Sequence, residues 1–221
     1  MACMPMPVLK SFKLIAVTNI MTNSLIKKLD ETVDVPRLTK ELKTFLTEHQ
    51  LQDALQISLT RETDDSGRYR KDDWFCSVGR ITELSLPEET YSTLNESLAG
   101  TYISELITTY NNFYRWRILS IPPNKTYTVH SDALSNKINK RIHIPVITND
   151  QAFFCFYDKQ PANGVTANVS FHHLDAGNIY EINTSGLHSA INYGTETRYH
   201  IVGVRYEEAP HPLKTFLNKN K

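Results

Sequence analysis

Several features are scarce in this sequence, and each scarcity excludes a class of protein. The 221 residues include only three cysteines, at positions 3, 76 and 155, an odd number at wide spacing. That pattern fits neither a disulfide framework nor a cysteine-ligated zinc site, and it predicts a reducing, cytoplasmic setting. No apolar run approaches the roughly 20 residues of a membrane span. Residues 1–7 lack the basic and apolar regions of a signal peptide, so none is expected.

The sequence also has no excess of positive or negative charge. The 24 Lys and Arg residues balance the 24 Asp and Glu residues, so the formal net charge is zero. A neutral chain offers no electrostatic surface for nucleic acid or an anionic membrane, and neither partner is expected. With 40% hydrophobic residues, the chain suits one globular domain, or a β core with an N-terminal extension.

The first half of the chain mixes patterns typical of strands and helices. Strands are predicted at residues 11–18 and 54–60, and a polar loop at residues 61–73. A helix is predicted to begin at Asp34-Val-Pro36. Its apolar positions follow helical spacing: Leu38, Leu42, Phe45 and Leu46.

A second, longer helix is predicted near residue 90. Ser85 and Glu88 have the spacing of a capping box. An apolar stripe at three- and four-residue intervals follows it, formed by Tyr91, Leu94, Leu98, Tyr102, Leu106 and Tyr110. Such a stripe indicates the core face of a long helix that packs on a sheet.

From residue 114 the pattern changes to short β segments separated by turn residues. Strands are predicted at residues 114–121, 126–132, 141–148, 152–157, 165–171, 179–183, 188–192 and 198–205. Eight short strands at nearly even spacing predict a mainly β fold, a double-sheet jelly roll of the cupin type. Residues 1–113 are then an α/β extension that packs on the core, residues 114–210 the core, and residues 211–221 a tail.

One of these strands carries a candidate metal site. His130 and Asp132 are two residues apart, so on a strand both side chains project from the same face. A histidine from a distant strand would complete a two-histidine, one-carboxylate triad, which suits non-haem Fe(II) because it leaves coordination positions open. The other His-x-Asp pair, His173 and Asp175, runs into a tight turn, where Asp175 is expected to bond its own backbone.

The third ligand has three candidates. His211 lies between prolines near the tail and is poorly placed, which leaves His188 and His200. Arg198 stands ten residues after His188, enough for a strand, a turn and a neighbouring strand, and an arginine there can hold a carboxylate with two parallel hydrogen bonds. His188 therefore supplies a metal ligand and an anion clamp together.

At these residues the chain resembles the 2-oxoglutarate- and Fe(II)-dependent oxygenases of the aspartyl/asparaginyl β-hydroxylase family, which includes hydroxylases of free amino acids. The resemblance covers roughly residues 114–206. It rests on the order and spacing of five features: the proline turn before the strand, His130-Ser-Asp132, Arg141-Ile-His-Ile-Pro-Val-Ile-Thr-Asn149, His188-Ser-Ala-Ile-Asn192 and Arg198-Tyr-His-Ile-Val202.

The resemblance implies a double-stranded β-helix with Fe(II) on His130, Asp132 and His188, and hydroxylation of an unactivated C–H bond with O2. Arg198 would anchor the distal carboxylate of the cosubstrate 2-oxoglutarate. Arg141 and His143 would line the cosubstrate or substrate carboxylate. The substrate would be an amino acid or a peptide or protein side chain. The candidate substrate-binding residues are Arg117, which could equally be a solvated strand residue, and Asn192.

Two other functions are open at this point. Two histidines and a carboxylate also bind Zn²⁺ and activate water, as in a hydrolase, although a hydrolase gives no reason for the arginines. A non-enzymatic jelly-roll module that binds a carboxylate or a sugar is the other alternative, because one fold hosts many functions.

Overall fold

The computed structural model describes residues 25–62, 87–132, 137–159, 161 and 167–208. Within these ranges the helices are α1 (Val35–Glu48) and α2 (Tyr102–Thr109), with short 3-10 turns at Glu88–Thr90 and Glu96–Leu98. None of these helices has the length and apolar composition that crossing a bilayer requires. The strands, in chain order, are β1 (Ile26–Thr32), β2 (Gln56–Ser58), β3 (Thr60–Arg61), β4 (Thr93–Leu94), β5 (Tyr114–Ile121), β6 (Lys125–Thr126), β7 (Lys137–Ile147), β8 (Ala152–Tyr157), β9 (Val169–His172), β10 (Asn178–Asn183), β11 (His188–Asn192) and β12 (Arg198–Glu208).

The last eight strands form two antiparallel sheets that pack face to face. The central order of the larger sheet is β10-β7-β12-β5, and the order of the smaller sheet is β6-β11-β8-β9. The chain therefore passes back and forth between the sheets, which is the winding of a double-stranded β-helix. β1 extends the larger sheet beside β10, and β2 extends it beside β5. The predicted jelly-roll class is confirmed.

Alternation along the strands of the larger sheet separates two faces. On β7, Ile142 and Ile144 belong to a core shared with both helices, whereas Arg141 and His143 point to the opposite, inter-sheet face. On β12, Ile201 joins the helical side, and Arg198 lines the inter-sheet cavity. A period of two thus separates the apolar packing from the polar site.

Helix α1 forms where the sequence predicts it. The Asp34 carboxylate caps the helix by accepting a hydrogen bond from the Arg37 backbone N–H at 3.0 Å. Pro36 lies in the first turn, where no backbone donor is needed. All four predicted core positions are buried: Leu38, Leu42, Phe45 and Leu46.

The long helix predicted after Ser85 and Glu88 is wrong. Ser85 lies outside the described residues, and the stripe passes through two 3-10 turns, the short strand β4 and only then α2. Gly100, with φ of +76°, breaks the path, and Thr101 caps α2 by accepting from the Ser104 backbone N–H. Leu94 pairs with Thr60 in a two-stranded sheet instead of continuing a helix.

The remaining strand predictions are confirmed for residues 114–121, 152–157 and 188–192 and shift by a few residues elsewhere. The predicted strand at residues 11–18 and the predicted loop from residue 63 lie outside the described residues. So do residues 165 and 166 of the strand predicted at residues 165–171. The strand predicted at 126–132 is too long. Regular pairing ends at Thr126, and within residues 127–132 a bridge forms between His130 and His188.

Candidate metal centre

Three of the predicted site residues converge between the sheets. Ligand atoms of His130, Asp132 and His188 all lie within 4.8 Å of one another, so the three residues could hold a metal ion. The two histidines are opposite residues of an antiparallel bridge and exchange backbone hydrogen bonds of 3.0 and 2.8 Å. Opposite residues of such a pair project on the same side, and the imidazole centroids lie 4.3 Å apart.

Backbone carbonyls orient both imidazoles. Nδ1 of His130 lies 2.8 Å from the Thr128 carbonyl oxygen, and Nδ1 of His188 lies 2.9 Å from the Gly186 carbonyl oxygen. A carbonyl only accepts, so each Nδ1 carries a proton, and in the neutral ring Nε2 keeps the lone pair. Those Nε2 atoms lie 3.7 and 3.6 Å from the Asp132 carboxylate oxygens. Both rings thus present the atom that a metal requires.

Arg141 holds Asp132, the carboxylate ligand of the cluster, in place. Its Nε donates to Asp132 Oδ2 at 2.7 Å, and the two side chains are only 9% and 16% exposed. Burial by itself would raise the pKa of Asp132, but the Arg141 charge and hydrogen bond outweigh it and hold that pKa well below its ordinary value. Burial also lowers the pKa of His188 to about 4. At neutral pH the cluster therefore holds an ionised carboxylate and a neutral His188, the protonation states in which these side chains bind metals.

The triad opens into a cavity of about 300 Å³ between the sheets. Arg117, Arg141 and Arg198 line it, and all three are buried. Burial lowers the pKa of Arg198 to about 10, which still leaves the guanidinium protonated at neutral pH. Asp132 is the only carboxylate among the lining residues that the structure describes. Apolar walls complete the cavity, formed by Leu119, Phe154 and Ala190.

Arg141 and His143 lie where the sequence predicts, two residues apart on one face of β7. Nη1 of Arg141 and Nε2 of His143 have no hydrogen-bond partner within the described part of the chain. Both atoms are buried in residues that line the cavity. Orphaned buried polar atoms of this kind require an explanation, and a bound ligand is one.

Asn192 is not part of this cavity. Its Nδ2 donates to the carbonyls of Ile121 and Glu196 at 2.8 and 2.7 Å, and its Oδ1 accepts from Asn149 and from the Gly194 backbone. The amide is fully used in holding the turn between β11 and β12. We therefore assign Asn192 no substrate role.

Two of the histidines that the sequence analysis did not choose as ligands, His173 and His200, lie apart from the triad. His173 contacts the Ala152 carbonyl and Asp175, and Asp175 accepts from the Tyr180 hydroxyl and the Asn178 backbone. His200 is fully buried on β12, two residues after Arg198, and contacts that arginine. His211 lies outside the described residues.

No protein-family model and no curated protein matches this sequence. Among solved structures, the chain is similar to AviO1 from Streptomyces viridochromogenes Tue57, at 12% identity and a TM-score of 0.45, over 85% of this chain and 92% of that one. It is also similar to a Pseudomonas putida prolyl-4-hydroxylase, at 10% identity and a TM-score of 0.40, over 84% and 93% of the two chains. A third is SnoK, a non-heme alpha-ketoglutarate-dependent carbocyclase of nogalamycin biosynthesis, at 9% identity and a TM-score of 0.41, over 88% and 86%.

Proposed function

We propose that this protein is an Fe(II)- and 2-oxoglutarate-dependent oxygenase that hydroxylates an unactivated C–H bond. A single observation carries the proposal. The His130, Asp132 and His188 cluster opens into a cavity lined by three buried arginines. A ligand set of two histidines and one carboxylate suits Fe(II) with open positions, and buried guanidinium groups suit a carboxylate ligand beside it.

The residues present fit the metal. Both imidazoles are positioned to offer an Nε2 lone pair, and Asp132 is ionised. Bound iron would supply the oxidising chemistry, with O2 and 2-oxoglutarate as cosubstrates. The contribution of the chain is to fix the ligand atoms before the metal arrives.

Arg198 is the proposed anchor for 2-oxoglutarate. It is 3% exposed, protonated at neutral pH, and uses one N–H to reach His200 at 2.8 Å. A guanidinium has five N–H donors, so four remain for a carboxylate. The orphaned Nη1 of Arg141 supports a second carboxylate contact nearer to the metal ligands.

For the substrate, we propose an amino acid or a peptide or protein side chain, with Arg117 as a candidate contact. Arg117 lies on β5, where its neighbours Trp116 and Ile118 pack on the helical side, so its own side chain enters the inter-sheet cavity. This position supports a role at the site rather than on the solvated surface. The proposed membership of the aspartyl/asparaginyl β-hydroxylase family rests on the five sequence features, with the acidic ligand Asp132 present.

The division of the chain also remains a proposal. Residues 1–113 would be an extension that completes the larger sheet through β1 and β2, and residues 114–210 would be the catalytic core.

The test is spectroscopic and needs no substrate. Fe(II) and then 2-oxoglutarate are added without oxygen to the metal-free protein, and the weak visible charge-transfer band of the chelate is recorded. We expect the band in the wild type and in His173→Ala, whose histidine lies outside the cavity, and its loss in His188→Ala.

The variant Arg198→Ala distinguishes the proposed Fe(II) site from the proposed 2-oxoglutarate site. We expect it to bind Fe(II) like the wild type but to need at least about tenfold more 2-oxoglutarate for the band, because a charge-assisted contact is lost. Tight Zn²⁺ binding by a folded wild type that never gives the band would contradict the oxygenase and favour a hydrolase or a binding module.

A further inference from the structure

The N-terminal extension contributes one residue to the cavity within its described parts, Gln56 on β2. β2 pairs with β5 so that Gln56 lies opposite Leu119, and Ile57 lies opposite Ile118. Ile57 and Ile118 are fully buried in the core shared with the helices. Since successive residues of a strand face opposite sides, Gln56 faces the inter-sheet side together with Leu119.

Hydrogen bonds fix the backbone around Gln56. The Leu55 carbonyl accepts from the Ser120 backbone N–H at 3.0 Å, and the Ala54 carbonyl accepts from the Ser120 hydroxyl at 2.7 Å. The Tyr127 hydroxyl lies 3.0 Å from the Ser120 carbonyl oxygen and 3.4 Å from that of Leu55. Gln56 is therefore held at a defined place on the cavity wall, which a residue that selects ligands requires.

The carboxamide oxygen of Gln56 is an unsatisfied acceptor. Oε1 is buried and has no hydrogen-bond partner within the part of the chain that the structure describes. The described lining residues carry three guanidinium groups and one carboxylate, so their field favours an amide dipole with its oxygen directed inward. The last side-chain torsion of a glutamine is broad, so the oxygen can turn toward a ligand without displacing β2. A buried acceptor of this kind requires a donor.

Gln56 lies away from the proposed cosubstrate contacts. In the larger sheet, β2 is next to β5, two strands from β12 and three from β7. At about 4.8 Å between neighbouring strands, the backbone of Gln56 is about 10 Å from the strand of Arg198 and about 14 Å from that of Arg141. Arg117, in contrast, lies on the adjacent strand, on the same face and diagonal to Gln56, within reach of a long side chain. Gln56 and Arg117 thus share one side of the cavity.

We propose that Gln56 is a substrate-binding residue whose Oε1 accepts a hydrogen bond from a neutral N–H of the substrate, beside a carboxylate that Arg117 holds. The proposal rests on the proposed function in one respect, that the substrate occupies this cavity. It gives the cavity an acceptor for the substrate on the β2 side and leaves Arg198 and Arg141 to the cosubstrate.

The charge of the cavity decides which kind of N–H fits. Asp132, the only carboxylate among the described lining residues, is already paired with Arg141. A free amino acid would bring a cationic ammonium group among buried guanidinium groups, where like charges repel strongly. An amide N–H brings no charge. The proposed substrate narrows to an N-acylated amino acid or the C-terminal residue of a peptide.

The first experiment compares two probes of nearly the same shape, N-acetylalanine and O-acetyllactate. In O-acetyllactate an ester oxygen replaces the amide N–H and cannot donate. Binding to the metal-free protein is followed by chemical-shift titration. We expect the wild type to bind N-acetylalanine about tenfold more tightly, because the ester leaves the Gln56 oxygen without a donor.

Two glutamine variants locate the source of this preference. Gln56→Met keeps a similar volume and has no amide, so we expect it to bind both probes equally well. Gln151→Met is the matched control, because Gln151 is exposed in the turn between β7 and β8 and does not line the cavity. We expect Gln151→Met to keep the wild-type preference.

The second experiment tests the charge of the donor with alanine and N-acetylalanine. We expect the wild type to bind N-acetylalanine more tightly. Gln56→Glu keeps an acceptor and adds a negative charge, which attracts an ammonium group. We therefore expect the ratio of the two dissociation constants to shift by at least about tenfold toward alanine.

Each outcome decides the proposal. A wild type that does not bind N-acetylalanine, or that binds alanine more tightly, overturns the substrate class. A Gln56→Met variant that keeps the preference for the amide shows that Gln56 is not the acceptor. If Gln56→Met does not fold, the wild-type preference and the titration of Gln56→Glu still decide.

These measurements are independent of the test for the oxygenase, because they use neither metal nor cosubstrate. If the amide preference depends on Gln56 but Fe(II) and 2-oxoglutarate give no charge-transfer band, the oxygenase fails and the role of Gln56 stands. If the band forms but the preference is the same in Gln56→Met, the oxygenase stands and the role of Gln56 fails.

Discussion

The contact between Arg141 and Asp132 gives the sharpest prediction about the unliganded site. We consider Arg141→Met, which keeps most of the side-chain volume and removes the charge. The pair is 2.7 Å apart and both side chains are less than a fifth exposed. Removing one partner of a buried pair costs about 3–5 kcal/mol because the other charge is left without compensation. Asp132 retains 16% exposure, so we expect the lower end, about 3 kcal/mol.

The pH dependence of this loss has a definite sign. In the wild type the pKa of Asp132 lies below its unfolded value, so its stabilisation is complete above that value and disappears only as the pH falls through the lower folded pKa. Without Arg141, burial, which raises the pKa of Asp132, is opposed only by the smaller effects of His188 and His130. The buried carboxylate then destabilises the fold increasingly as the pH rises through that raised pKa. The loss of unfolding free energy in Arg141→Met, relative to the wild type, is therefore largest at pH 7 and smaller near pH 4.

The assay is urea unfolding with a metal chelator present, at several pH values. For a chain of this size the expected loss moves the midpoint by about 1 M urea at pH 7. Lys140→Met is the matched control, because Lys140 directly precedes Arg141 on β7 and its ion pair with Glu181 is longer, at 3.4 Å. Glu181 keeps a second partner, Arg205, at 2.6 Å. A deficit in Arg141→Met that equals the control, or that does not change with pH, refutes the reasoning.

Three further predictions concern other parts of the structure. His188→Ala should abolish tight Co²⁺ binding, measured by visible absorption, because it removes one of three ligands. Gly203→Ala should destabilise the protein by about 1–3 kcal/mol in urea unfolding, because the new Cβ would lie 2.9 Å from Trp116; Gly186→Ala, with nothing within 4 Å, is the control and should be near neutral. Burial raises the pKa of Cys155 to about 12, so mass-spectrometric mapping at pH 8 should find this thiol alkylated only after unfolding.

The core strands were predictable because alternation and turn residues agree there. On β7 the run from Arg141 to Ile144 alternates polar and apolar residues, and the structure sends the two kinds to opposite faces. The bounds of β5, β8 and β11 are confirmed to the residue, since each strand is flanked by glycine, proline or asparagine turns. Local preference and tertiary structure point to the same result at these places.

The long helix failed because a stripe of apolar residues does not report how the chain connects them. Tyr91 and Leu98 are buried as the stripe predicts, yet they reach the core from a turn and a 3-10 segment. The contacts that decide this lie far away in sequence. Leu94 pairs with Thr60, and the Tyr91 carbonyl accepts from the Arg115 backbone N–H at 2.7 Å. Such tertiary pairing overrides helical spacing, and only the positive φ of Gly100 has a local signal.

At the candidate site, the sequence predicted which side chains meet but not how each is oriented. The carbonyls that orient the metal-binding imidazoles belong to Thr128 and Gly186, and any residue type has a carbonyl. The sequence offered His200 only as an alternative metal ligand, whereas in the structure it lies 2.8 Å from Arg198 and 3.5 Å from His143. Period-two patterns carry no information about such distances. The contacts among the side chains inside the cavity therefore become known only when the pairing of β7 with β12 is known.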